Sequence, residues 1–287
     1  MEAARPVRSM LYIPASKPRA LEKAAGLAAD AIIFDLEDAV TPGEKAAARA
    51  ALASCLTEID FGQRLRLVRI NGFGSEWGRA DAAAFADHPG VDAILVPKVN
   101  GASDLAAVAL VAPDKPLWAM METPLGMLNA GAIAGHERLQ GMVMGTNDLA
   151  KDLGARFRPD RLAMATGLGL SVLAARAYGR LIVDGVFNAF RDVGGLAAEC
   201  EQGRDMGFDG KSLIHPDQLE VANRIFAPSQ PELDLARRHI EAFENATASG
   251  QGVAVLDGKI VENLHIVTAR ALIAKARAIA DLQGATC

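Results

Sequence analysis

The pair of segments Leu117-Trp-Ala-Met-Met-Glu-Thr-Pro124 and Met142-Val-Met-Gly-Thr-Asn-Asp-Leu149 decides the fold. Each is a short, continuously apolar run that stops at Gly or Pro, the pattern of a strand buried on both faces of a parallel sheet. The first run delivers Glu122 at its end and the second delivers Asp148. If neighbouring strands end side by side, the two carboxylates share one mouth. With no cation directly after either, the pair suits a hard divalent ion, Mg²⁺ or with similar donors Mn²⁺. The competing reading makes each acid part of a helix opening, because Thr123-Pro124 and Asn147-Asp148 are good helix starters. These two turns alone do not choose between them.

Outward from this pair, the chain alternates strands and helices. Further apolar runs fall at Ser9–Ile13, Ala31–Phe34, Arg66–Ile70, Ala93–Val96, Leu181–Val183 and Gly210–Ile214. Helical patterns fill the gaps, including Arg19–Leu27, an Ala-rich stretch opened by Thr41-Pro42, and Pro159–Tyr178. Eight such strands predict an α/β chain folded as a (β/α)₈ TIM barrel over residues 1–228. An open doubly wound sheet is disfavoured, since no strand leads into a GxGxxG turn. Gly72-Phe-Gly74 meets Trp77 where the third Gly belongs, and Gly167-Leu-Gly169 reads as close helix packing.

Residues 229–287 exceed what the barrel needs. They read as a C-terminal helical and hairpin extension: an amphipathic helix over Pro231–Ala248, a hairpin turning at Asp257-Gly258 and a last helix over Leu264–Leu282. Barrel logic alone leaves open whether this segment covers its own barrel or reaches a neighbouring subunit.

Composition narrows the function classes. A chain of 287 residues, 51% hydrophobic, can bury a large core, and its net charge of −5 argues against a general nucleic-acid or anionic-membrane binder. Cys55, Cys200 and Cys287 are odd in number and widely spaced, as expected of reduced, structural thiols. No run approaches the ~20 apolar residues of a membrane span, and no signal-peptide pattern opens the chain, so a cytoplasmic location is expected. The five histidines show neither HxxxH nor HExxH spacing, and His215-Pro216 suits a plain turn. A Ser–His–Asp triad lacks its GxSxG signature.

In a barrel, the carboxyl ends of the strands share one face. That face would collect Asp35, Glu37, Asp38, Arg69, Lys98, Glu122, Asp148 and Asp184, which favours a catalytic mouth. Arg69 can take a substrate carboxylate bidentately. Asp35, Glu37 and Asp38 could be direct metal ligands; the favoured reading makes them acceptors that orient a bound water or Arg69. The chemistry such groups suit is polarisation of a carbonyl by a metal, giving a stabilised enolate.

At these residues the sequence resembles the HpcH/HpaI aldolases, in the branch similar to the citrate lyase beta subunit. The matching pieces are Arg8-Ser-Met-Leu-Tyr-Ile-Pro-Ala-Ser16, Ile33-Phe-Asp-Leu-Glu-Asp-Ala-Val40, Val68-Arg-Ile-Asn71, Leu95-Val-Pro-Lys98, Met121-Glu-Thr-Pro124, Gly145-Thr-Asn-Asp-Leu149, Lys211-Ser-Leu-Ile-His-Pro216 and Val255-Leu-Asp-Gly-Lys259. The resemblance implies a (β/α)₈ barrel, Mg²⁺ held by Glu122 and Asp148, Arg69 on the substrate's carboxyl or acyl group, and CoA running along Arg8, Ser16 and Lys23. It implies a homotrimer or homohexamer whose C-terminal segment carries an acid/base carboxylate into a neighbour's site. In place of the usual DGKMVD of the lyases, this chain reads Asp257-Gly-Lys-Ile-Val-Glu262. Glu262 keeps the carboxylate but lengthens its arm by a methylene.

Two outcomes follow. One is retro-Claisen cleavage of (3S)-malyl-CoA-like thioesters to glyoxylate and acetyl-CoA, towards which the branch leans. The other is thioester hydrolysis to malate and CoA. A further alternative is a citrate lyase beta-type subunit working on a substrate bound to an acyl carrier.

Overall fold

Eight strands form in the expected order: β1 (Ser9–Pro14), β2 (Ala31–Asp35), β3 (Leu65–Arg69), β4 (Ala93–Val96), β5 (Leu117–Met121), β6 (Leu139–Met144), β7 (Leu181–Asp184) and β8 (Gly210–Leu213). Each pairs in parallel with the next, and β8 returns to β1, closing the barrel. The structure, a computed structural model, describes residues 5–284; Cys287 lies outside them.

Successive side chains on a strand point to opposite faces. Met10, Ile33, Leu67, Leu95, Trp118, Met120, Val143 and Val183 fill the lumen. Residues of the other phase, such as Ile32, Val68, Ile94, Ala119 and Ile182, join the shell of surrounding helices. A Cβ at Gly141 would run into the Trp118 ring, so the bare backbone there lets the indole lie inside the barrel.

The helices are α1 (Pro18–Ala24), α2 (Lys45–Glu58), α3 (Gly78–Phe85), α4 (Ala102–Ala109), α5 (Pro124–Leu128), α6 (Ala130–Ala134), α7 (Thr146–Asp152), α8 (Ala165–Ala177), α9 (Val193–Met206) and α10 (Leu219–Ile225). One helix and one strand differ informatively from the sequence expectation. The helix expected from Pro159 starts only at Ala165, because Arg161 takes a left-handed φ of 49° and turns inward to Asp184. β6 begins at Leu139 rather than Met142, since a register shift beside Leu117 and Trp118 lets the extra residues pair. A Cβ at Gly167 in α8 would crowd Met127 on α5, as the close-packing reading expects.

By internal packing, Val7–Phe226 is one compact unit and the chain from Ala227 belongs to another. The second unit holds α11 (Gln230–Ala248), the antiparallel pair β9 (Ala254–Leu256) and β10 (Lys259–Val261), and α12 (Asn263–Gly284). Ser229 and Glu232 form a capping box at the start of α11. Asp257 and Gly258 both take positive φ, as a two-residue hairpin turn requires. Ala254, Val261 and Ile266 form this unit's own small core, with Ile240 and Phe243 packed against it. No helix among the described residues is long and apolar enough to cross a membrane.

Candidate active site

The register of β2 and β3 sets Asp35 beside Arg69. Arg69 donates from Nε to Asp35 Oδ1 at 2.8 Å and from Nη2 to Oδ2 at 2.7 Å. Its Nη1 lies 3.2 Å from Glu37 Oε2 and 3.3 Å from Asp38 Oδ2, and its Cζ stands 5.0 Å from the centre of the Tyr12 ring. The sequence expects Arg69 to clamp a substrate carboxylate with its fork; the structure gives that fork to Asp35. Nη1, already flanked by two acids, and the second hydrogen of Nη2 are left to face a ligand. Burial works against the guanidinium charge, but Asp35 more than offsets it and holds Arg69 charged.

Asp35 also shapes the loop that follows. It accepts the backbone N–H groups of Glu37 at 2.9 Å and Ala39 at 3.1 Å. All three acids of the Asp35–Asp38 segment converge on one arginine.

Glu122 follows β5 and is 1% exposed. Its Oε1 accepts the backbone N–H of Lys98 at 2.7 Å, which Lys98 presents by adopting a left-handed φ of 53° at the end of β4. Across from it, a side chain at Gly145 would overlap Glu122 Cβ and Oε2, so a glycine must follow β6 for this carboxylate to reach the mouth. Asp148, half-buried in the first turn of α7, lines the same cavity. That cavity is about 340 Å³ and also takes in Tyr12, Asp35, Asp38, Arg69 and the apolar Met120, Met144 and Ile214.

The electrostatics of the mouth fit a cation. Burial first, and then Glu37, push the Glu122 carboxyl up to about 8. Burial pushes Glu37 to about 7, with Arg69 pulling the other way. Glu37 Oε2 is buried without an aligned hydrogen-bond donor. Five carboxylates thus stand around two cationic side chains, Arg69 and Lys98. Among the described residues, no group of three or more His, Cys, Asp or Glu forms a complete metal cage. A divalent ion at Glu122 and Asp148 would therefore draw the rest of its shell from water and substrate oxygens, as Mg²⁺ commonly does.

Other expected site residues fall elsewhere. Asp184 ends β7 on the outward phase, one residue past the inward Val183, and is fully buried against Arg161 and Lys211 at 2.7 and 2.9 Å. It is a correction to the collected mouth. Arg8 is a second one. It precedes β1, at the end of the barrel away from the mouth, and both its side chain and its N–H bond Asp30 at 2.7–2.8 Å. It is 3% exposed and cannot lie along a CoA chain. Ser16 stands half-buried in the turn after β1, on the mouth side, and Lys23 is exposed in the last turn of α1. Glu262 lies in the second unit between β10 and α12; it is exposed, and its N–H donates to His265 Nδ1 at 3.0 Å. His215 accepts the Asp217 N–H in a plain turn.

Tyr12 was missed by sequence reasoning. It sits in an apolar run and carries no charge to mark it, yet its ring underlies Arg69 and burial pushes its hydroxyl well above the usual phenol range. Its signal was positional: it is in phase with Met10, two residues before the strand's end. Cys55 and Cys200 are free, and burial pushes the Cys200 thiol up to about 12, which leaves it unreactive.

A closed barrel with a carboxylate-lined cavity at the carboxyl ends of its strands is the layout of a TIM-barrel enzyme. The chain belongs to the HpcH/HpaI aldolase/citrate lyase family, whose pattern matches residues 8–216. It is similar to the (3S)-malyl-CoA thioesterase of Cereibacter sphaeroides (strain ATCC 17029 / ATH 2.4.9), 69% identical over 277 residues, covering 96% of this chain and 97% of that protein. The L-malyl-CoA/beta-methylmalyl-CoA lyase of the same strain is 33% identical over 314 residues, covering 96% of each. Among solved structures, CitE from Mycobacterium tuberculosis in complex with magnesium, acetoacetate and coenzyme A is similar with a TM-score of 0.80 and 32% identity, covering 96% of this chain and 100% of that one.

Proposed function

We propose that this enzyme hydrolyses (3S)-malyl-CoA to malate and free CoA. The sequence by itself leans towards carbon–carbon cleavage. The observation that moves the reading to hydrolysis is the 69% identity to a thioesterase along nearly the whole chain, against 33% to the lyase.

Hydrolysis adds a water oxygen to the thioester carbonyl carbon, breaks the C–S bond and releases the thiol with a proton. Glu122 and Asp148 would hold Mg²⁺, which when bound supplies Lewis-acid polarisation of a carbonyl oxygen. Arg69 Nη1 donates to a substrate oxygen, while Asp35 keeps the guanidinium from turning. Glu37, with its carboxyl near 7, can hold or release a proton at neutral pH. Ser16 and Lys23 lie along the CoA moiety. Glu262, on its longer arm, directs the water; supplied by a neighbouring copy in a homotrimer or homohexamer, it would complete that copy's site.

Incubation of the purified protein with (3S)-malyl-CoA and Mg²⁺ tests this. Malate and free thiol are the expected products. Glyoxylate with acetyl-CoA would instead restore the lyase reading, and turnover only with a carrier-bound substrate would restore that of a citrate lyase beta-type subunit.

A further inference from the structure

We propose that Lys45 and Arg49, one turn apart on α2, are positioning residues that fix where Arg69 stands relative to Glu37 and Asp38. The proposal deepens the reading of the barrel mouth as a catalytic site and rests on it.

Lys45 is the first residue of α2 and only 6% exposed. Its Nζ donates to the backbone oxygens of Leu36 at 3.0 Å and Glu37 at 2.9 Å, and lies 5.2 Å from the centre of the Trp77 ring. Nothing in helix stability asks for a cation here. The start of a helix repels positive charge, and burying an ammonium is costly unless its donors are met. The two loop carbonyls and the indole face supply what offsets both costs.

Arg49 lies four positions on, so it shares the same helix face. Its Nη1 donates to Asp81 Oδ1 at 2.8 Å. Asp81, fully buried in the first turn of α3, takes the backbone N–H of Asn71 at 3.0 Å and its side-chain amide at 2.6 Å on Oδ2. Asn71 stands two residues beyond Arg69. One helix face therefore grips the loop after β2 directly and the loop after β3 through a single carboxylate. A backbone bond from Leu36 N to Arg69 O at 3.0 Å ties the two loops to each other between these grips. Neither cation lines the cavity. Both act on it through the backbone that carries Glu37, Asp38 and Arg69.

The contacts at stake are those around Arg69 Nη1, at 3.2 and 3.3 Å. Shifts of about 1 Å in a positioned site can lower turnover about 100-fold. Lys45→Met keeps the length and apolar stem but removes the donor. With (3S)-malyl-CoA and Mg²⁺, the expected result is a kcat lower by about 100-fold and a KM within about threefold, with Lys45→Arg restoring part of kcat. Amide hydrogen exchange of the full-length protein should quicken in the peptides around Leu36–Ala39 and leave the rest of the barrel unchanged. Arg49→Gln, partly exposed and milder, should quicken exchange around residues 70–74 and lower kcat about tenfold.

A wild-type kcat in Lys45→Met overturns the proposal. Faster exchange spread evenly over the barrel overturns it too, since that marks a purely structural role. If the wild-type protein leaves (3S)-malyl-CoA intact, the substrate reading fails, and local exchange in the two variants still decides the positioning role.

Discussion

A single methyl group at position 145 would occupy the space that Glu122 Cβ and Oε2 now fill. Gly145→Ala should push the carboxylate off its place beside Asp148 without touching the barrel's hydrogen bonding. We expect Mg²⁺-dependent turnover to fall by about 100-fold while the circular dichroism spectrum stays native. Steady-state kinetics across a Mg²⁺ titration check this, and an unaltered rate would mean that Glu122 needs no such exact placement. Arg69 sets a second test at the same scale. Lysine keeps the charge but cannot hold both oxygens of Asp35, so one buried oxygen keeps only its backbone N–H from Glu37 or Ala39. Arg69→Lys should therefore cost about 2 kcal/mol of stability in a urea melt as well as most of the activity. Unchanged stability would show that the fork on Asp35 contributes little.

At the scale of the element, the strands were legible because most are short apolar runs closed by Gly, Pro or an acid; β3, which runs into Arg69 and Asn71, and β8, which runs into His215, are the exceptions. The direction of the terminal acid was not legible. Strands buried on both faces carry no polar alternation, so nothing in Leu181-Ile-Val-Asp184 shows its phase. Glu122 follows the inward Met120 by two and points into the mouth, whereas Asp184 follows the inward Val183 by one and points out. Arg8 misled for a related reason: a basic residue before a strand is at the wrong end of the barrel, but a motif read as a block hides that. The outward cluster has its own consequence. Burial pushes the Asp184 carboxyl up, yet Lys211 and Arg161 outweigh it and hold it below the usual carboxylate value. Burial likewise opposes the Lys211 charge, and Asp184 and Glu199 raise it above the usual ammonium value. The carboxylate's contribution is thus present above about pH 4 and lost as acid protonates it; that of Lys211 is present below about pH 10 and lost as base removes its proton. Lys211→Met leaves a buried carboxylate short of one partner and should cost about 3–5 kcal/mol near pH 7. Because a proton can neutralise Asp184 once Lys211 is gone, the deficit relative to wild type should shrink near pH 4. Paired urea melts at the two pH values measure it, and a deficit that grows in acid would contradict the assignment.

For the whole molecule, the barrel closes by itself: β8 pairs with β1, leaving no sheet edge for further chain to cover. The unit that begins at Ala227 has its own small core, and its hairpin shows apolar Val255 and Ile260 at 68% and 61% exposure. Glu262 follows that hairpin directly. A carboxylate presented this way can serve its own chain, a neighbouring copy or neither, and only the family resemblance favours the neighbour. Mixing two inactive variants separates these cases. Glu122→Gln keeps an intact Glu262 on a disabled barrel, and Glu262→Gln keeps an intact barrel with a disabled tail. If the tail serves a neighbour, mixed oligomers assembled from equal amounts pair an intact barrel with an intact Glu262 in about a quarter of the sites. Turnover of (3S)-malyl-CoA should then return to about a quarter of the wild-type rate after co-refolding, and stay absent when the two variants are combined without subunit exchange. Should co-refolded oligomers remain as inactive as either parent, the carboxylate works within its own chain. If Glu262→Gln alone keeps full activity, the water is directed by a group in the barrel mouth, and Glu37 becomes the residue to replace.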